Sequence, residues 1–236
     1  MLEQSKPAPA PRSTSRAPIW LRAGFWICIV ISVAVVLRRV VALAGPSHNG
    51  PPLMLALDNV FASHAALTLA HILPALLFVL LSPFVVFRFY NSPAWIDLAF
   101  YPLGAIVGLT AYAMSAYAVG GWTERSAVLL FDTLFVLSLA RAWMYRSEPD
   151  ATQERRWQLR AIAILLGIAT TRPVMGVFFA TARLTHLLPQ QFFGIAFWIG
   201  FSINVLIFEL WIRSVDRRRV HASGAQIHRS PLRSGI

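Results

Sequence analysis

The sequence predicts an all-α protein: a bundle of six transmembrane helices with both termini in the cytoplasm. Three observations carry that expectation. Hydrophobic residues make up 57% of the 236, and the mean hydropathy is +0.60, leaving too little polar surface to cover a water-soluble domain. Charged residues are only 13% and cluster between apolar runs, the layout of a multi-pass membrane chain. The basic residues are also unevenly shared between the two sides that such a topology would create.

Residues 1–18 are rich in Pro, Ser and Ala, with Lys6, Arg12 and Arg16, and read as a disordered basic tail. Helix 1 is expected from Ile19 to Leu37, long enough for one crossing and closed by Arg38 and Arg39. Ala42-Leu43-Ala44 resembles a signal-peptide cleavage site, but the apolar run is too long for a signal and two arginines intervene, so residues 1–44 are kept as a tail and first span. A Gly- and Pro-rich loop, Gly45 to Pro52, follows, then an apolar stretch, Leu53 to Phe61, that carries Asp58 and suits the interface.

Helix 2 is expected from Ser63 to Phe87, with His64 and His71 seven residues apart on one face. Helix 3 runs from Pro93 to Val119. Ser92 is its N-cap, and Asp97 complements the helix dipole in the first turn. Gly104 and Gly108 form a Gly-x-x-x-Gly pair that permits close packing, and this face is the expected contact for a homo- or hetero-oligomer. Helix 4 is expected from Ser126 to Met144, helix 5 from Arg160 to Thr181 and helix 6 from Phe192 to Ile212. A basic disordered tail, residues 213–236, closes the chain.

In this layout sixteen of the 21 basic residues share the side of both tails: Lys6 to Arg22, Arg88, Arg141 to Arg160 and Arg213 to Arg233. Arg38, Arg39, Arg125 and Arg183 fall on the other side, and Arg172 lies inside helix 5. The asymmetry predicts cytoplasmic termini in a cell (inner or plasma) membrane. It also accounts for the net charge of +11. No nucleic-acid-binding motif accompanies the charge, so the lipid bilayer is the expected partner and nucleic acid is not.

The lone Cys28 allows no intrachain disulfide and no thiolate metal cluster. No His-x-x-x-His pair, phosphate-cradling glycine loop or nucleophile elbow occurs, so the sequence offers no catalytic residues and no metal site. Chemistry is concentrated in polar residues at membrane depth: His71, Asp132, Arg172, Asn204 and Glu209. Ionisable groups there cost about 2.5–3.5 kcal/mol each, so they pair or line a cavity. From their distances to the helix ends, His71, Asp132 and Arg172 should meet in the outer half of the bundle, with Asp132 or His71 touching Arg172. Pro173 should kink helix 5 and free the carbonyl of Ala169. Glu209 should pair with Arg156 or Arg160 near the interface, and Asn204 should form an interhelical hydrogen bond.

Arg155-Arg156-Trp157, Arg160, Arg172, and Asn204 followed by Glu209, together with His71 ahead of an apolar run, resemble the domain of unknown function 2306 family of bacterial membrane proteins. The resemblance covers Ser63 to Ile212. It implies a polytopic bundle similar to the cytochrome b561-like proteins, which hold haem b between helices through histidine ligands. His71 is the matching intramembrane histidine. Glu154 stands where family members usually carry a histidine before Arg-Arg-Trp, and Ala94-Trp95 stands where another opens the third helix. The expectation is therefore an integral membrane protein with a polar intramembrane site around Arg172, for small-molecule binding or transport, and with no cofactor. A haem- or quinone-linked electron carrier using His71, or a structural subunit of a membrane complex, are the alternatives.

Overall fold

A computed structural model of the protein describes residues 17–45, 52–87, 94–148, 151–185 and 189–227. All regular structure among these residues is helical, in eight segments: α1 (Ile19–Ala44), α2 (Pro52–Ser63), α3 (Ala65–Phe87), α4 (Ala94–Ser115), α5 (Gly121–Tyr145), α6 (Ala151–Leu165), α7 (Gly167–Thr185) and α8 (Pro189–Ile227). Six spans are long and apolar enough to cross a membrane, α6 and α7 together supplying the fifth. The chain is thus an all-α integral membrane protein by architecture. Residues 1–16, the Ser92-Pro93 cap and residues 228–236 lie outside the described residues, as does the side chain of Asp97.

Each segment is helical for a readable reason. The outward faces are built for hydrocarbon: on α3, Leu73, Leu77, Leu80 and Phe84 form a stripe at one-turn spacing, each 44–51% exposed. The inward faces interlock through aromatics. Phe78 of α3 and Phe100 of α4 are fully buried, with ring centroids 4.5 Å apart, and Phe135 of α5 meets Phe78 edge-on at 5.7 Å. Lipid supplies no hydrophobic drive between helices, so close packing and polar bridges must hold the bundle.

Several boundaries differ from expectation. α1 continues past Arg38 and Arg39 because both guanidinium groups pair with Asp58 of α2, at 3.1 and 2.5 Å. α5 begins at Gly121 rather than Ser126. Gly121 adopts a left-handed φ of 59°, and Glu124 reaches back to accept the Gly120 N–H at 2.5 Å, which caps the helix a turn early. α6 begins at Ala151, so the charged segment Glu154 to Arg160 is helical and not a loop. α8 runs to Ile227, beyond the expected end at Ile212 and into the segment expected to be disordered.

The Gly104/Gly108 face is also reassigned. A Cβ at Gly104 would lie 2.6 Å from Leu139, and one at Gly108 would lie 2.6 Å from Val136. Both partners are on α5. The pair therefore sets a close α4–α5 contact inside the chain.

The spans close into a ring in which α1 packs on α3, α3 on α4, α4 on α5, α5 on α8, α8 on α7 and α7 on α1. The fifth span changes neighbours along its length: α6 packs chiefly on α5, and α7 on α8. The change falls at Leu166, where the Ala169 N–H bonds the Leu166 carbonyl at 3.0 Å in a tightened turn. The break lies upstream of the site expected from Pro173, which sits within α7. Proline disturbs the turn before it, and at Gly167 a Cβ would lie 2.5 Å from Phe201 of α8, so the missing side chain lets α7 close on α8 there.

One end of the bundle carries the start of α1 and the end of α8. There Trp26 of α1 stacks on Phe87 of α3 and Phe25 meets the same ring edge-on, and Arg156 of α6 pairs with Asp216 of α8. The other end carries α2. These are called the terminal end and the α2 end below.

Candidate functional site

A cavity of about 250 Å³ lies in the α2 half of the bundle. Five helices place polar side chains on it, α4 through Ser115 alone. α1 contributes Ser32 and Arg39, α3 contributes Thr68 and His71, with His64 in the turn just before it, α5 contributes Glu124 and Asp132, and α7 contributes Arg172. The walls are apolar, with Phe131 and Phe135 of α5 and Phe197 and Phe201 of α8 as the largest surfaces.

Three of the five polar residues expected at membrane depth thus line one cavity: His71, Asp132 and Arg172. No hydrogen bond or ion pair joins Arg172 to either of the others among the described residues, so the expected direct contact is not formed. His71 instead bonds Thr110 of α4 through Nδ1 at 2.9 Å. The Arg172 guanidinium approaches Met175 Sδ at 3.8 Å, a weak acceptor, and its Nε is buried without a partner. Asp132 is 8% exposed and its Oδ2 is buried without a partner, as is the hydroxyl of Ser32.

The rim is better satisfied. Arg39 is held by Asp58 and lies 3.9 Å from the Phe61 ring centroid. His64 stacks on Tyr117, with ring centroids 3.7 Å apart, and bonds Ser63 at 2.9 Å.

The other two expected residues sit elsewhere. Asn204 of α8 accepts from Thr170 at 2.8 Å and donates to the Ala163 carbonyl at 3.4 Å. It therefore serves a carbonyl in the last turn of α6, where the break interrupts the ladder. Glu209 is held by Arg160 in two contacts, 2.5 and 3.2 Å. Neither residue lines the cavity.

Sequence reasoning missed Ser32, Arg39 and Glu124 as cavity residues. The signal existed: Ser32 and Arg39 are seven apart on α1, and Glu124 is eight before Asp132, each pair sharing a helix face. The apolar runs hide it, because the run of helix 1 stops before Arg38 and that of helix 4 starts after Glu124.

The cavity can take a hydrogen-bond acceptor at Arg172 and a donor at Asp132, with aromatic walls for an apolar body. His64 lies in the turn before α3 and His71 within it, so the two are on the same side; a bis-histidine haem needs ligands on facing elements, and His186 lies outside the described residues. Among the described residues no group of three His, Cys, Asp or Glu side chains is placed to hold a metal ion. No protein-family model, curated protein or solved structure matches the chain.

Proposed function

We propose that this integral membrane protein binds a small amphipathic molecule in the α2-end cavity, with Arg172 and Asp132 as its polar anchors. One observation carries the reading: Arg172 Nε and Asp132 Oδ2 are sealed among apolar walls with no partner. Buried polar atoms left unpaired cost about 1–3 kcal/mol each, so a ligand that meets both needs gains an unusual amount from a small contact. The apolar body would rest on Phe131 and Phe135, and the ligand would enter past Val60 and Phe61 of α2.

The test is to purify the protein in mild detergent and extract its bound small molecules. A compound that accompanies the wild type and is lost from both Arg172→Met and Asp132→Leu, with helical content unchanged, supports the proposal. Identical extracts from all three proteins overturn it.

The same reading places both termini in the cytoplasm of a cell membrane, on the strength of the asymmetric basic residues. A C-terminal reporter active only in the cytoplasm should be active, and a reporter active only outside should be silent. Membership of the domain of unknown function 2306 family belongs to the proposal as well, and it assigns no activity.

A further inference from the structure

A second recess lies at the terminal end, on the lipid-facing surface where α5, α6 and α8 meet, with a volume of about 450 Å³. Its mouth holds Arg141, Trp157 and Arg160. Trp157 has the Arg160 guanidinium 4.5 Å from its ring centroid and that of Arg141 at 5.9 Å. Arg160 is neutralised by Glu209. Arg141 is exposed and has no carboxylate partner among the described residues, so the mouth carries a net positive charge.

Deeper in, the recess is apolar apart from Ser138, whose hydroxyl is turned back onto the Leu134 carbonyl at 2.7 Å. Leu137 and Leu134 follow Arg141 on one face of α5, four and then three residues further back along the helix. Leu137 is 52% exposed and Leu134 is 37% exposed, with Val205 and Phe208 of α8 beside them. Arg141 to Leu134 covers roughly 10 Å along the helix axis. A cationic mouth beside an interfacial tryptophan, opening on an apolar channel that runs toward the membrane centre, matches a phosphate head with an acyl chain attached.

We infer that this recess is a binding site for one anionic phospholipid. Its phosphodiester sits against Arg141 and the edge of Trp157, and one acyl chain lies along Leu137, Leu134 and Phe208. A free phosphate would use the mouth and leave the channel empty, whereas the channel is the larger part of the surface. The site is separate from the α2-end cavity and does not depend on what fills it.

Native mass spectrometry of the intact chain, released from micelles doped with phosphatidylglycerol or phosphatidylcholine, tests this directly. The expected result is phosphatidylglycerol adducts that survive activation at which phosphatidylcholine is stripped. Arg141→Gln should reduce the retained phosphatidylglycerol about tenfold, as for one lost charge-assisted contact. Arg125→Gln should leave retention unchanged, although Arg125 also sits over a tryptophan, Trp122, at 5.5 Å. Equal retention of the two lipids, or an equal loss in both variants, would overturn the site. Displacement of the lipid by millimolar inorganic phosphate would also overturn it and leave a bare anion site.

Discussion

The terminal end and the α2 end bury similar kinds of side chain and match them to different degrees: among the described residues one buried side-chain atom, Gln158 Oε1, lacks a partner at the terminal end, against three at the α2 end. At the terminal end Tyr101 of α4 donates to Glu154 Oε1 of α6 at 2.7 Å. Gln158 donates to both, at 3.1 Å to Tyr101 and 3.2 Å to Glu154. Glu154 is 6% exposed and Gln158 is fully buried. Arg155 donates to the Val86 carbonyl at 3.0 Å, and Arg156 and Arg160 pair with Asp216 and Glu209. At the α2 end Asp132, Arg172 and Ser32 are buried around a cavity and leave atoms unmatched. A buried polar group stabilises a fold when its partners are in place and opposes it when they are not. One end is therefore built to hold the helices together. The other gives up stability around an open space, as a binding site does.

The contrast can be broken by three substitutions. The largest effect belongs to Glu154→Ala, which strips Tyr101 and Gln158 of their shared acceptor. Thermal unfolding in detergent should show a loss of about 2 kcal/mol, the cost of buried donors left without their acceptor. Asn204→Leu comes next. It removes the links to Thr170 and to the Ala163 carbonyl at the helix break, and about 1 kcal/mol should be lost, in the range of intramembrane hydrogen bonds. The smallest effect belongs to Asp132→Leu, which replaces an unmatched carboxylate with an apolar side chain. Stability should change by less than about 1 kcal/mol, in the stabilising direction. If Asp132→Leu destabilises as much as Glu154→Ala, the two ends do not differ in kind.

The six spans were legible because long apolar runs leave little else for a chain to do. The convergence of His71, Asp132 and Arg172 on one region was legible from depth alone, because helix rise is fixed. The pairing of Glu209 and the bridging role of Asn204 followed from the cost of polar groups in hydrocarbon. The rest depended on tertiary choices. Arg38 and Arg39 look like a helix stop until Asp58 is seen to hold them. Glu124 looks like a turn residue until it is seen capping α5. The Gly-x-x-x-Gly pair says only that something packs closely, and not whether that neighbour is α5 or another chain. The Arg155-Arg156-Trp157 motif gave no hint of its task, which is to tie the start of α6 to α3 and α8 through Val86 and Asp216.

The rim of the cavity and its floor answer to different solution conditions. α2 is joined to α1 by Asp58, which carries both guanidinium contacts, and Arg38 in that pair is half exposed. Partly exposed ion pairs weaken as ionic strength rises and the Debye length shortens, from about 10 Å at 0.1 M to about 3 Å at 1 M salt. The aromatic floor formed by Phe131, Phe135 and Phe201 carries no such dependence. Added salt should therefore speed exchange between the cavity and bulk solvent while leaving its shape intact. Under the proposed function, the rate of ligand entry is set by one carboxylate at the rim, and affinity by Arg172, Asp132 and the walls.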